Sequence, residues 1–364
     1  MNSRLGWQSS RDLREIISSA WDAWKQVISN KSDCGSVGLM PSALIAGISG
    51  QDGYYLSEML VSKGYSVFGL IHDANPGRGK NMKADVPGLE LIHGDLTDTA
   101  SLFRALDISA PTEVYNLGAK SHVAFSWEQA QQTAQVTAIG VLNLLEAIRI
   151  SSSDSSTRPR FYQASSSEMF GKAQEVPQRE TTLLWPRSPY GVAKVFGHHM
   201  TINYRESYGF HASSGILFNH ESPRRGPEFV TRKVSQAVAR IVTGKQEKLV
   251  MGNLDAQRDW GFAGDYIKAM WLMLQQDVAD DYVIATGKTH SVRDLVATAF
   301  AAGGIKNWED YVSSSPDLLR PADIASLVGD PTKAKERLGW VPETSFEELV
   351  AMMVEHDLKQ ESKI

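Results

Sequence analysis

The sequence predicts an α/β fold in which a doubly wound parallel sheet is joined to a smaller C-terminal α/β domain. From Pro41 onward, short apolar runs alternate with helical patterns, the order typical of parallel strands connected by helices. A glycine-rich turn directly follows the first apolar run, and a Tyr-x-x-x-Lys pair follows the fifth. The alternation predicts the sheet, and the two motifs indicate where a ligand would bind.

Composition narrows the class of protein. The net charge of −5 argues against a nucleic-acid binder, because no basic excess is available to neutralise phosphates. The single cysteine, Cys34, excludes an internal disulfide framework and a multi-cysteine zinc site, and we expect no metal. No apolar run approaches the roughly 20 residues that span a bilayer. We therefore expect a cytoplasmic protein that binds neither nucleic acid nor membrane.

The first 40 residues differ in character from the rest. Apolar residues between Leu13 and Ile28 fall at helical spacing and predict one amphipathic helix, followed by a flexible stretch from Asn30 to Gly38. Three interpretations stay open. The extension docks on its own domain or a sister subunit, it lies on a membrane surface, or Met40 is the true start.

A glycine turn separates the first strand, Ala43–Ala46, from the first helix. Glycines let the backbone approach a pyrophosphate, and a helix N-terminus offers free N–H groups and a favourable dipole. Strand, turn and helix in this order predict a Rossmann-type dinucleotide site. The turn contributes five candidate cofactor-binding residues: Gly47, Gly50, Gln51, Asp52 and Gly53.

Later strand ends add cofactor candidates. Asp73 lies roughly 20 residues past the glycine turn, where an acid suits the ribose 2′-hydroxyl of NAD, whereas the nearby Arg78 could receive the 2′-phosphate of NADP. These residues leave open whether the cofactor is NAD or NADP. Asp95, followed by Leu96, would lie beside an adenine or serve as part of a helix N-cap. The strand that begins at Glu113 contains Asn116 and ends in small residues, which suit close passage of a cofactor.

The stretch from Phe161 to Lys194 contains the catalytic candidates. Its apolar strand end is followed by Ser166 and Glu168, and a proline-containing loop then leads to Tyr190, with Lys194 four residues later. Positions i and i+4 share one face of a helix, so the Lys194 ammonium can lie beside the Tyr190 phenol. A nearby cation would lower the pKa of Tyr190 and make it a usable proton acceptor. The pair alone is a weak signal, because any helix can carry the same spacing.

Together these motifs resemble those of the extended short-chain dehydrogenases/reductases. Sequence motifs closer to the C-terminus narrow the resemblance to the GDP-mannose 4,6-dehydratases. The resemblance extends from Ala43 to about Glu355. The segments that carry it are Ile216–Gly226, Phe229–Lys233, Met251–Gly261, Asp281–Gly287 and Gly329–Lys335.

The resemblance implies a dinucleotide-binding domain with the catalytic residues at 41–218, a nucleotide-sugar-binding domain at 219–355 and a tail at 356–364. Strands near 250–285 are candidates to return to the first domain. It also implies NADP as cofactor, with NAD as the alternative, and a homodimer or homotetramer. His72 and Asp73 stand where the family usually has paired arginines for the NADP phosphate and a subunit contact, so both points stay open.

The resemblance further assigns roles to the catalytic candidates. Tyr190 would take the proton of the sugar C4 hydroxyl while hydride passes to the nicotinamide, and Lys194 would hold the tyrosinate. Ser166, where the family usually has threonine, would hydrogen-bond the C4 oxygen. Glu168 would remove the C5 proton so that the C6 hydroxyl leaves as water before the hydride returns to C6.

The resemblance also names residues for the GDP-sugar substrate. Asn219, Lys233 and Arg258 match positions that hold the diphosphate. Arg320 and Asp323 match a pair near the nucleoside. Glu221, Arg224 and Arg225 are further candidates for binding the substrate.

We therefore expect a hydro-lyase of deoxysugar biosynthesis that converts GDP-mannose to GDP-4-keto-6-deoxymannose. The close alternative is a 4,6-dehydratase of another GDP-hexose or of a GDP-heptose. A nucleotide-sugar epimerase is disfavoured by Glu168 together with the GDP-sugar motifs. A non-catalytic dinucleotide-binding protein would not need Glu168, Tyr190 and Lys194 together.

Overall fold

The computed structural model describes residues 40–72, 76–152, 154–315 and 326–362, with the backbone alone for 76–80 and 326. Contacts divide the chain into two units, Met1–Met40 and Pro41–Ile364. The predicted N-terminal helix, Asp73, Arg320 and Asp323 lie outside the described residues, as does the side chain of Arg78.

The second unit contains strands and helices in alternation. The strands are β1 (Ser42–Ala46), β2 (Ser66–Ile71), β3 (Leu89–His93), β4 (Glu113–Asn116), β5 (Arg160–Ser166), β6 (Ala212–Leu217), β7 (Asn219–Glu221), β8 (Leu249–Met251), β9 (Gln257–Arg258), β10 (Trp260–Phe262), β11 (Asp281–Ile284), β12 (His290–Ser291), β13 (Val312–Ser314) and β14 (Ser326–Leu327). The α-helices are α1 (Gln51–Ser62), α2 (Pro76–Asp85), α3 (Thr99–Ser109), α4 (Val123–Glu128), α5 (Ala130–Thr133), α6 (Gly140–Ser151), α7 (Pro189–Tyr208), α8 (Val230–Val242), α9 (Ala263–Gln275), α10 (Val292–Ala302), α11 (Thr332–Leu338) and α12 (Phe346–Glu361). A π-helix, Ala134–Ile139, joins α5 to α6.

Seven parallel strands form the central sheet, in the order β11-β6-β5-β4-β1-β2-β3. The chain therefore runs outward from β1 first in one direction and then in the other, which confirms the predicted doubly wound arrangement. Successive side chains of a strand point to opposite faces. In β1, Leu44 packs in the cluster with α3, α6 and α7, while Ile45 packs in the cluster with α1 and α9. Both faces of the sheet are covered, as a parallel sheet requires.

The C-terminal elements form a separate hydrophobic cluster. Val238 of α8, Val296 of α10 and Val350 of α12 pack together there, and each is at most 3% exposed. Short strands connect this cluster to the main sheet region. In particular, β7 pairs in parallel with β10, so Asn219 lies opposite Trp260.

One helical run in the described part of the chain, Ala130–Ser151, is long and apolar enough to cross a membrane, and half of its window is buried. Leu144, Leu145 and Ile148 of this run are at most 1% exposed and belong to the core under the sheet. The core therefore accounts for the apolar character of that side of the run.

Candidate active site

A cavity of about 380 Å³ opens where β1, β4, β5 and β6 end. Its wall contains the glycine turn, the Ser166–Glu168 segment, the start of α7 and residues of β7 and β10. The carboxyl edge of a parallel sheet is where open α/β proteins bind their ligands. The cavity is therefore the candidate active site.

The glycine turn forms one wall of the cavity, and all five of its predicted cofactor residues line it. Gly47 has φ +80°, and a Cβ there would lie 2.6 Å from the Gly118 amide nitrogen. A Cβ on Gly53 would lie 2.5 Å from the Ile48 carbonyl oxygen. Only glycine fits at these two positions, and the turn can then place the N-terminus of α1 at the cavity. That N-terminus suits a pyrophosphate, so the residues present fit a dinucleotide.

The start of α7 positions Tyr190 and Lys194. Ser188 caps the helix by accepting the Gly191 N–H at 3.0 Å, and Pro189 occupies the first turn, where its missing N–H costs nothing. Both side chains line the cavity, and the Lys194 Nζ donates to the Ala164 carbonyl at 2.6 Å. The same Nζ lies 5.7 Å from the centre of the Tyr190 ring. The predicted i, i+4 pair is thus present and faces the site.

The charge state of this pair differs from the expectation. Burial raises the pKa of Tyr190 to about 12, although a hydrogen bond with Ser166 acts in the opposite direction. Burial also disfavours the charged form of Lys194 and therefore lowers the pKa of Lys194 to about 8. The expected lowering of the Tyr190 pKa by Lys194 is not found, because the ammonium is engaged by a backbone carbonyl and burial dominates.

Ser166 and Glu168 follow the end of β5 and lie opposite α7. The Glu168 N–H donates to the Ser166 Oγ at 3.2 Å, and this contact caps the short 3₁₀ helix Ser167–Met169. The Glu168 side chain is half-buried and lines the cavity together with Tyr190. A carboxylate and a phenol therefore face one space, as proton transfer at two neighbouring carbons requires.

Three predicted cofactor residues lie outside the cavity wall. Asp95 pairs with the Nε2 of His72 at 3.0 Å, beyond the ends of β2 and β3. Asn116 is buried, and its Nδ2 donates to the Gln163 Oε1 at 2.9 Å. Leu96 is 6% exposed and packs in the core. Asp95 therefore lies beyond the carboxyl ends of β2 and β3, whereas Asn116 links β4 to β5 inside the core.

The opposite wall contains most of the predicted substrate residues. Asn219, Glu221, Arg225 and Arg258 line the cavity, and the Arg225 Nε lies 3.0 Å from the Glu221 Oε2. Lys233 is not among the lining residues, because its Nζ donates to the Val250 carbonyl at 2.8 Å. The assignments of Arg320 and Asp323 stay predictions.

His220 also lines the cavity, although it is not among the site residues predicted from the sequence. Its side chain pairs with Asp52 of the glycine turn at 2.8 Å. The two residues are far apart in the sequence, so no local spacing indicates the contact. The only available signal was the position of His220 directly after Asn219 in a motif already assigned to the substrate.

The family model for GDP-mannose 4,6-dehydratases matches residues 44–353 of the chain. The chain belongs to the GDP-mannose 4,6-dehydratase family. The match covers the sheet, the cavity and the C-terminal cluster, and it confirms the resemblance found in the sequence.

Individual relatives agree with the family assignment. The chain is 50% identical over 343 residues to GDP-mannose 4,6 dehydratase 2 of Arabidopsis thaliana, which covers 92% of this chain and 91% of the relative. It is 48% identical over 354 residues to the GDP-mannose 4,6-dehydratase of Yersinia enterocolitica, covering 88% and 95%. A solved UDP-glucose 4-epimerase of Thermus thermophilus in complex with NAD superposes with a TM-score of 0.76, at 27% identity and 86% and 98% coverage. The predicted Rossmann-type fold is confirmed by these comparisons.

Proposed function

We propose that the chain dehydrates GDP-mannose to GDP-4-keto-6-deoxymannose. The observation that carries this proposal is that Glu168 and Tyr190 line one cavity beside a glycine turn, in a member of the GDP-mannose 4,6-dehydratase family. A dehydrogenase needs only the tyrosine and the cofactor. The carboxylate supplies the second proton transfer that distinguishes water loss from simple oxidation.

Tyr190 and Lys194 perform the first step. When bound, a nicotinamide cofactor accepts hydride from C4 of the sugar and later returns it to C6. Tyr190 takes the C4 hydroxyl proton, and the Ser166 hydroxyl, which acts to lower the pKa of Tyr190, orients the C4 oxygen. Because burial raises the pKa of Tyr190 to about 12, the tyrosinate requires stabilisation, a role that the family resemblance assigns to Lys194.

Glu168 performs the second step. Oxidation at C4 acidifies the neighbouring C5–H, and the Glu168 carboxylate removes that proton. The C6 hydroxyl leaves and makes up one molecule of water with the proton taken from C5. When the hydride returns to C6, C5 regains one proton from solvent, and Tyr190 releases the C4 hydroxyl proton to solvent. Tyr190 stays beside the C4 oxygen throughout, so the product keeps a C4 ketone.

The substrate diphosphate is assigned to the cavity wall that β7, β9 and β10 form together. Arg225 and Arg258 supply cationic donors there, and Asn219 supplies an amide. Lys233, Arg320 and Asp323 are assigned to the same GDP moiety by the family motifs. A cytoplasmic location, expected from the single cysteine, stays part of the proposal.

We assign NADP as the cofactor, with NAD as the alternative. The region that would select between them begins at His72, which is bonded to Asp95 and stands where the family usually has arginine. Replacing His72 and Asp73 together by arginine is expected to raise the affinity for NADPH relative to NADH by about tenfold or more, because guanidinium groups bind phosphate bidentately.

The measurement for this prediction is a pair of fluorescence titrations with NADPH and NADH. Glu90→Arg is the control, because it adds a positive charge at an exposed position of β3. An unchanged ratio in the double variant would mean that the 2′-phosphate is recognised elsewhere, with Arg78 as the next candidate.

A homodimer is the proposed assembly, with a homotetramer as the alternative. The proposed interface is an apolar groove of about 770 Å³ between the Trp127–Ile139 segment and α7. Trp127 is 49% exposed and Val192 is 56% exposed there, which is unusual for side chains of this size. A second copy is the occupant that the family resemblance implies, and a two-fold interface buries the same patch on both subunits.

Val192→Glu combined with Phe196→Glu is expected to convert the dimer to a monomer, because two buried carboxylates would face each other across the axis. Sedimentation velocity measures the outcome. Val278→Glu is the control, since Val278 is 76% exposed outside the groove. A monomeric wild-type protein, or a double variant that remains a dimer, would contradict the assignment.

The test of the function is the mass of the product after incubation with GDP-mannose and NADP. Loss of one water is the expected result. An unchanged mass with conversion to an isomer would instead identify an epimerase. Rapid water loss from a GDP-heptose with none from GDP-mannose would identify the alternative substrate.

A further inference from the structure

A mostly buried ion pair connects the glycine turn to the opposite wall of the cavity. The Nε2 of His220 in β7 lies 2.8 Å from the Oδ2 of Asp52 in α1, and their side chains are 12% and 21% exposed. Gln51 reinforces the connection, because its Nε2 donates to both the Asp52 Oδ1 and the His220 carbonyl at 3.0 Å. The steps assigned above to Glu168 and Tyr190 do not use this pair.

The hydrogen-bond partners of His220 determine its charge. Its Nδ1 lies 2.8 Å from the Phe218 carbonyl oxygen, and its Nε2 faces the Asp52 carboxylate. A carbonyl oxygen and a carboxylate only accept hydrogen bonds, so both ring nitrogens must donate. The ring is therefore an imidazolium, and it stacks on Tyr266 at 4.8 Å between centroids.

The balance of charge around the cavity depends on whether His220 carries its second ring proton. Four carboxylates line the wall, against three cationic side chains, so a neutral His220 would leave an excess of negative charge. The carboxylates are Asp52, Glu168, Glu221 and Glu228, and the cations are Lys194, Arg225 and Arg258. The charged group besides Asp52 that acts on His220 is Arg225, and Asp52 in turn acts on Lys194, Tyr190 and Tyr162.

We propose that His220 is a positioning residue whose positive charge neutralises Asp52 and holds the glycine turn in the form that receives the dinucleotide pyrophosphate. This inference rests on the proposed function, because it concerns the same cofactor site. Asp52 lies in the first turn of α1, where a carboxylate interacts with the free N–H groups that would bind the pyrophosphate. Pairing with His220 engages that carboxylate and cancels its repulsion of the ligand.

The pair predicts how cofactor binding depends on pH. Burial alone would lower the pKa of His220, but the Asp52 carboxylate raises it above the ordinary value of 6.5. Burial alone would raise the pKa of Asp52, but His220 lowers it to about 2. The pair is therefore charged at pH values above the titration of Asp52 and below the pKa of His220, and its contribution disappears as the pH rises through the pKa of His220.

The experiment measures the dissociation constant of NADPH by fluorescence from about pH 6 to about pH 9, a range that begins below the ordinary histidine pKa of about 6.5 and extends well above it. His220→Gln is expected to weaken binding by roughly thirtyfold or more at pH 6, because it leaves the Asp52 carboxylate without the imidazolium that neutralises it. Adding Asp52→Asn to His220→Gln is expected to recover at least about tenfold of this loss, because no uncompensated charge remains.

Two comparisons separate a positioning role from a general loss of structure. Lys194, whose pKa is about 8, titrates in the same range, so the readout is the difference between the wild-type and His220→Gln profiles. His290→Gln is the matched control, because His290 also stacks on an aromatic ring, Phe346, but lies outside the cavity wall. It is expected to bind NADPH like the wild-type protein.

Equal affinity of His220→Gln and wild type, parallel pH profiles of the two, or a double variant as weak as His220→Gln would each overturn the inference. The readout needs no sugar nucleotide, so it is independent of turnover. Failure of the wild-type protein to bind either NADPH or NADH would instead count against the proposed function itself.

Discussion

Glu168→Gln is expected to bind GDP-mannose and cofactor, oxidise C4 and then stop. Glutamine keeps the shape of the side chain but cannot accept the C5 proton, so water loss should fall by about 10²–10⁴-fold. The first step does not need the carboxylate, and the reduced nicotinamide should therefore accumulate in a single turnover. Its absorbance, recorded together with product mass, is the measurement.

The control for Glu168 is a second carboxylate of the same cavity. Glu228 lines the wall but is not placed beside Tyr190 by any observed contact, so Glu228→Gln is expected to retain water loss. Full turnover by Glu168→Gln would exclude this residue as the C5 base and leave the second step without an assigned group.

Tyr190→Phe is expected to stop the reaction one step earlier. Only the hydroxyl is removed, so the ring should keep its place in the buried start of α7. Without the phenol no group accepts the C4 proton, and turnover should fall by about 10²–10⁴-fold with no reduced nicotinamide formed. Rapid-mixing absorbance distinguishes this outcome from that of Glu168→Gln.

Tyr208→Phe is the matched control for Tyr190, because Tyr208 lies at the far end of the same helix and is 45% exposed. It should react at the wild-type rate. Reduced nicotinamide formed by Tyr190→Phe at the wild-type rate would show that another group takes the C4 proton.

The strands of the sheet were predictable because each is a short buried run between clear breaks. The first strand, predicted at Ala43–Ala46, is found at Ser42–Ala46, and the strand predicted to begin at Glu113 begins there. The π-helix Ala134–Ile139 was not predictable, since the helical pattern around it continues without a break in hydrophobic spacing. Its widened turn depends on how the run packs against neighbouring helices.

Some features of the cavity were likewise predictable from the sequence, and others were not. The glycine turn and the Tyr190–Lys194 pair are local patterns, and both face the cavity. The raised pKa of Tyr190 was not predictable, because spacing gives proximity to Lys194 but not the burial that dominates. The contact between His220 and Asp52 could not be predicted from the sequence either, because it depends on where β7 lies relative to α1.

The most direct test of the proposed reaction uses GDP-mannose that carries deuterium at C4. If Tyr190 and Glu168 act in succession around a cofactor that keeps the hydride, the product should be lighter by one water and carry the deuterium at C6. Mass spectrometry with fragmentation of the sugar locates the label. A product of unchanged mass, or a dehydrated product that has lost the deuterium to solvent, would contradict the proposed function.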